Sequence, residues 1–150
     1  MQKITPFLWF DHQAEEAMDF YVSIFKNAKV MSINRQGDRV FSVSFSLNGL
    51  EFAALNGGPM FKFSPATSFV VNCEDQAEVD YYWEKLGAGG KYNQCAWLDD
   101  KFGITWQIVP KQLGRLLGDP DPAKAGRVMQ AMCQMGKIDI AALQRAYDEI

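Results

Sequence analysis

A single histidine stands in this sequence, at position 12 beside Asp11. Imidazole is the commonest transition-metal ligand and the usual general base near neutral pH, so one histidine excludes any site built on two. His12 itself has two readings, a solvated residue at a helix entry or a catalytic base. Cys73, Cys95 and Cys133 are odd in number and widely spaced, which fits neither a disulfide framework nor a zinc clip, and their default state is the reduced thiol. Cys73 and Cys95 fall at the ends of apolar runs, where a thiol can serve as nucleophile, ligand or redox sensor. With no histidine or basic neighbour to lower the pKa, a buried inert thiol is the plainer reading. Glu51, Glu74, Asp99 and Asp100 offer acid or base groups without a recognisable catalytic spacing, and Asp99-Asp100 reads as turn chemistry.

The aromatic residues are more suggestive. Trp9, Phe61 and Trp97 could line a flat apolar pocket, whereas Trp106 reads first as core packing. Gln107 follows Trp106, so strand alternation aims it to the opposite face, where its amide can orient a ligand by hydrogen bonds. Asn56, before Gly57-Gly58, could present an amide at the mouth of such a pocket, although glycine after a strand is first of all a turn.

These residues must be held by regular elements. Residues 4–10 are apolar almost without break and read as a strand buried on both faces. In residues 13–25 the apolar positions Ala14, Ala17, Met18, Tyr21, Val22 and Phe25 recur at helical spacing. Residues 29–55 read as three strands interrupted at 36–38 and at Asn48-Gly49, a two-residue hairpin signal. Val43, Phe45 and Leu47 alternate there with Ser42, Ser44 and Ser46. A strand-like run and a helical pattern then return from Ser68 onward, and a shift of 62 lays Thr5 to Trp9 over Thr67 to Val71. GLEFAAL at 49–55 parallels GITWQIV at 103–109, setting Phe52 against Trp106. The expected fold is α+β: duplicated βαβββ modules near 3–57 and 66–110 that form an incomplete mixed β-barrel with a cleft, a core over 1–110. Residues 111–150 read as a helical extension of the same domain, with Asp121 and Pro122 opening one helix that runs to about Met135 and Asp139 capping the last. Met129, Met132 and Met135 lie on one side of that helix, as a lid, a subunit contact or ordinary packing.

The bulk properties narrow the function classes. With 150 residues, 48% hydrophobic and 22% charged, the chain falls in the ordinary globular range. A net charge of -3 supplies no basic footprint for nucleic acid or an anionic membrane. No run approaches the roughly 18 apolar residues of a membrane span, and Met1-Gln-Lys-Ile-Thr-Pro does not open a secretory leader. A cytoplasmic protein with neither membrane nor nucleic-acid partner is the expectation.

Ile-Thr-Pro-Phe-Leu-Trp-Phe-Asp at 4–11, Glu-Glu-Ala-Met-Asp-Phe-Tyr at 15–21 and Asp-Lys-Phe-Gly-Ile-Thr-Trp-Gln-Ile at 100–108, set in a duplicated βαβββ order, resemble the PhnB-like branch of the vicinal oxygen chelate superfamily. Segments ALNGGP at 54–59, NQCAWLDD at 93–100 and VMQAMCQM at 128–135 are similar to one branch of that family. The superfamily includes glyoxalase I, extradiol dioxygenases and bleomycin- and fosfomycin-resistance proteins. The resemblance implies a small-molecule site in a cleft, commonly within a homodimer, and in the family's enzymes a divalent metal held by His, Gln or Glu from the first and last strands of each module. The positions that match here are Thr5, Ala53, Thr67 and Gln107, to within about one residue. Two hydroxyls, a methyl and an amide do not make a divalent-metal site of useful affinity, so no cofactor is expected.

Three functions follow from these readings. The first is a homodimeric, metal-independent binder of a small apolar or aromatic molecule, with Trp9, Asn56, Phe61, Cys73, Cys95, Trp97 and Gln107 at the cleft. The second is a metal-dependent lyase or dioxygenase with a non-standard set such as Gln107, Glu51 and a cysteine or His12. The third is an interaction module whose cleft is filled by its own aromatics. The family also carries the label 3-demethylubiquinone 3-methyltransferase. A Rossmann methyltransferase needs a glycine-rich turn straight after a strand, and the only candidate, Gly87-Ala88-Gly89-Gly90, follows a helix.

Overall fold

The computed structural model describes residues 2–150, which divide into two compact units, one ending at Phe63 and one beginning at Ser64. The first unit runs β1 (Phe7–Phe10), α1 (Ala14–Ile24), β2 (Ala28–Gln36), β3 (Arg39–Leu47) and β4 (Leu50–Asn56). Its strands form one mixed sheet in the order β1-β4-β3-β2, with β1 and β4 parallel and the other pairs antiparallel. Asn48 and Gly49 both take positive φ, 50° and 88°, which is the backbone twist a two-residue hairpin demands. Helix α1 lays Ala14, Ala17, Met18 and Tyr21 on one face of the sheet, against Val43, Phe45 and Phe52. Phe45 and Phe52 sit opposite each other in the β3–β4 ladder with rings stacked 5.4 Å apart.

The expectation of a first strand buried on both faces does not hold. Strand pairing begins only at Phe7, whose side chain is 60% exposed, while Leu8 and Phe10 are buried. A parallel β1–β4 pair with a single helix on one face covers only alternate residues, and Pro6 has no N–H to extend the ladder.

The second unit repeats the order with β5 (Ser68–Cys73), α2 (Gln76–Gly87), β6 (Lys91–Tyr92), β7 (Trp97–Asp99) and β8 (Thr105–Pro110), in the sheet order β5-β8-β7-β6. Helix α2 starts on Asp75, whose carboxylate accepts from Glu78 N. The fold is therefore α+β, two open four-stranded mixed sheets of the same strand order. Registers fix how the repeats correspond. Phe7 pairs with Ala53 and Val70 with Gln107, so once Phe52 matches Trp106, Phe7 matches Val70, a shift of 63 rather than 62. A slip of one residue would put every side chain on the wrong face of the strand.

Three helices complete this unit, α3 (Lys111–Leu117), α4 (Pro122–Cys133) and α5 (Ile140–Asp148). Asp121 and Asp139 cap α4 and α5 through Ala123 N and Ala142 N, as their sequence positions foretell. Helix α4 stops at Cys133, before the expected Met135, because the chain there turns to give its carbonyls to another loop. Leu113, Leu116, Val128, Ile138 and Leu143 pack together with Ala96 of the β6–β7 loop into one apolar cluster. Gln76 clasps the assembly: its Nε2 donates to Ile138 O and its Oε1 accepts from Ile140 N. The same amide and the Lys137 ammonium hold the Asp80 carboxyl below the usual range.

Candidate functional site

Each sheet has one face under α1 or α2 and an opposite face that neither covers, and chemistry is concentrated on the latter. In the first unit, register aligns two rows across that face. One runs Phe7, Ala53, Ser44, Ser32 and the other Trp9, Leu55, Ser42, Asn34. Each row passes from an aromatic ring on β1, over an apolar residue on β4, to hydroxyl or amide groups on β3 and β2. Ser32 and Ser44 share a hydrogen bond of 2.6 Å, and Asn34 Nδ2 donates to Ser42 Oγ at 2.9 Å. Two irregularities in the β2–β3 register accompany these rows, one between Val30 and Ser32 and one between Asn34 and Arg35.

Trp9 is held on several sides. Its indole Nε1 donates to Gly58 O at 2.9 Å, Phe61 meets it edge-on at 5.0 Å between centroids, and Gly57 lies close against it. A Cβ on Gly57 would stand 2.4 Å from Trp9 Cζ2, so only glycine permits this approach. Asn56 is placed differently. Its Oδ1 accepts from Ala14 N, capping α1 from another strand, and its Nδ2 donates to Val40 O. The amide that was expected to meet a ligand thus joins three elements of the unit.

In the second unit the row Val70, Gln107, Trp97 corresponds to the Phe7 row, and Ser68, Thr105, Asp99 form a further row on the same face. Gln107 and Trp97 are direct partners on the face opposite Trp106, which is buried. Gln107 Nε2 donates to Ser68 Oγ, and Thr105 Oγ1 donates to Asp99 Oδ1. Cys73 alternates onto the helix side and is 1% exposed. Burial, then the charges of Glu78 and Asp75, push its thiol up to about 12, which leaves no thiolate for nucleophilic work near neutral pH. Cys95 lies in the β6–β7 loop beside Cys133. Its pKa is raised by burial first and then by the Cys133 thiol. Asp100 is only 3% exposed, and its carboxylate accepts from Phe102 N, Ile104 N and the Trp106 indole. The turn role of Asp100 was visible in the sequence. Its bond to Trp106 was not, because that partner is defined by the turn of the chain.

A further cavity in the first unit, of about 670 Å³, is lined by Asp11, His12, Glu15, Gln36, Arg39 and Asn56 among others. His12, with its side chain 77% exposed and 3.6 Å from Asp11 Oδ2, opens onto it. Sequence reasoning missed this cavity because its walls come from a hairpin tip and a helix start, each of which reads as solvated on its own.

The residues do not fit a divalent metal. Of the four positions matched by the resemblance, Thr5 and Thr67 are exposed and lie before β1 and β5, Ala53 offers only a methyl, and Gln107 alone offers an amide. Glu51 and His12 line different cavities, and among the described residues no three of His, Cys, Asp and Glu stand together as ligands.

A family model described as 3-demethylubiquinone-9 3-methyltransferase matches residues 2–109. A PhnB protein from Bacillus cereus is 36% identical, with 73% of this chain and 99% of that one covered and a TM-score of 0.68. The chain belongs to this PhnB-like family. Two solved structures share its fold at lower identity. The glyoxylase/bleomycin resistance protein/dioxygenase domain from Frankia is 15% identical over 73% of this chain and 92% of its own, TM-score 0.53. The fosfomycin resistance protein FosX from Mesorhizobium loti is 14% identical over 73% and 91%, TM-score 0.54. The vicinal oxygen chelate fold is thereby shown for this PhnB-like chain. No curated protein matches it significantly. Helices α3, α4 and α5 lie beyond the matched residues. No helix among the described residues is long and apolar enough to cross a membrane.

Proposed function

We propose that this PhnB-like protein binds a small aromatic or apolar molecule on the helix-free faces of its sheets, without a metal. The observation that carries the reading is the pair of rows in the first unit, where exposed Phe7 and half-buried Trp9 grade into Ser32, Ser42, Ser44 and Asn34. A planar ligand can stack on the rings and turn a hydroxyl or carbonyl edge toward the side-chain hydroxyls. In the second unit, Trp97 and Gln107 offer a ring and an amide side by side, the same pairing of chemistries. Asn56 acts in this proposal by holding α1 to β4, and Cys73 and Cys95 act through packing rather than by touching the ligand. The protein works in the cytoplasm as a homodimer, for which the exposed apolar residues Val30, Met31 and Ile33 on edge strand β2 are the support.

A methyltransferase activity finds no comparable support. Gly87 ends α2, and Gly90 is needed because a Cβ there would stand 2.1 Å from Asp99 O. These glycines serve tight packing and do not follow a strand.

The test is a fluorescence titration of metal-free protein with a panel of planar phenols and quinones. Saturable quenching that survives chelator and weakens about tenfold or more in Trp9→Ala is the expected result. Quenching only after a divalent metal is added would replace this reading with the metal-dependent enzyme. An absence of saturable binding across the panel would favour an interaction module.

A further inference from the structure

The β6–β7 loop carries two consecutive non-glycine residues in the left-handed region, Cys95 at φ 60° and Ala96 at φ 77°. L-residues avoid this conformation, and two in succession persist only where surroundings enforce it. The enforcing contacts are backbone bonds. Cys95 N donates to Met135 O at 2.8 Å and Ala96 N to Gly136 O at 3.0 Å. Gly136 is in turn pressed against Asn93 O, which a Cβ would approach to 3.2 Å. The loop and the segment after α4 are therefore clamped together over several residues. Two positions before Met135 stands Cys133, the exposed last residue of α4, so the clamp brings it into the neighbourhood of the partly exposed Cys95.

We propose that Cys95 and Cys133 are a reversible dithiol–disulfide pair that fastens the C-terminal helices to the β6–β7 loop under oxidising conditions. Backbone hydrogen bonds hold the Cys95 loop against Met135 and Gly136, two and three residues beyond Cys133, so the two side chains need only local movement to reach disulfide geometry. The third thiol, Cys73, is buried, with its sulfur directed to Val71 O, and takes no part. The oxidant is a low-molecular-weight disulfide such as glutathione disulfide. The more exposed Cys133, as thiolate, attacks one sulfur of that disulfide and releases one thiolate. Cys95, losing its proton to solvent, then attacks Cys133 Sγ and expels the second. Two protein thiols are oxidised and one small disulfide is reduced to two thiols. The pair joins a family-matched loop to helices outside the matched residues, so it is a feature of the extension and is independent of any ligand. It also lies two residues before Trp97, and closing it would stiffen the approach to that ring.

The test equilibrates the whole chain with graded ratios of reduced and oxidised glutathione, followed by mass spectrometry and maleimide labelling. The expected oxidised product is a monomeric chain lighter by two hydrogens, with a 95–133 linkage in peptide maps. One remaining thiol should label only in denaturant. Its Tm should rise by roughly 5 °C over the reduced form, because the bond closes a long loop in the unfolded chain. Cys133→Ser should abolish the mass loss and the Tm rise while leaving the reduced protein's Tm in place. Persistent glutathione adducts, a Cys133–Cys133 crosslink between chains, or a mass loss that survives Cys133→Ser would each overturn the proposal. Cys133→Ala serves as a second variant at this exposed position.

Discussion

Replacing Asp100 by alanine strips acceptors from the N–H groups of Phe102 and Ile104 and from the Trp106 indole. Two of these bonds, from Ile104 N and the Trp106 indole, are buried, and the one from Phe102 N is partly so. Asp100→Ala is therefore expected to lose about 3 kcal/mol of stability in urea denaturation, with Asp100→Asn losing less. Cys73 makes a prediction in pH. Its folded pKa is raised to about 12 from an ordinary 9.0, so the unfolded chain ionises first as pH rises. Stability from this thiol is fully present below pH 9 and is lost as pH climbs toward 12. Melting temperatures of the wild type should fall more steeply between pH 8.5 and about 10.5 than those of Cys73→Ala, which has no thiol to ionise. Equal slopes would show that the thiol has no such role. The burial of Cys73 was legible in the sequence from its apolar run and the lack of a basic neighbour. The three-way role of Asp100 was not, since a carboxylate before a glycine turn gives no hint of an indole six residues on.

Among the elements, α1 shows how a strand can start a helix it does not belong to. Gln13 makes no side-chain cap, and Asn56 at the end of β4 supplies the acceptor for Ala14 N instead. Asn56→Ala should cost about 1–2 kcal/mol in chemical denaturation, from the lost cap and the lost bond to Val40 O. If Asn56 served a ligand alone, that substitution would leave stability unchanged. Strand and helix positions were legible because alternation and helical spacing are local: Val43, Phe45 and Leu47 against the serines, Asp121-Pro122, Asn48-Gly49. What escaped was register. The shift between repeats differs by one residue from the best visual match, and two of the serines that alternate with Val43, Phe45 and Leu47 lie in rows with Phe7 and Trp9. Those rows depend on pairing between strands, which alternation along one strand cannot specify.

At the scale of the whole chain, the family-matched core is joined by an extension that shares its packing. Ala96 sits in one apolar cluster with Leu113, Val128 and Leu143, and the loop N–H groups of Cys95 and Ala96 are satisfied by Met135 and Gly136. A chain cut after Pro110 uncovers that cluster and leaves both donors without partners. It should melt well below the full chain and bind a hydrophobic dye, as measured by thermal scanning in parallel. A cut chain as stable as the parent would mean the helices merely rest on the core. The central claim, a metal-free ligand surface on the helix-free sheet faces, is tested most directly by crystals of the chelator-treated protein soaked with planar phenols and quinones. The account predicts density stacked against Trp9 with a polar edge toward Ser42 or Ser44. Ligand density confined to other surfaces, or ligand held through an added metal ion, would contradict it.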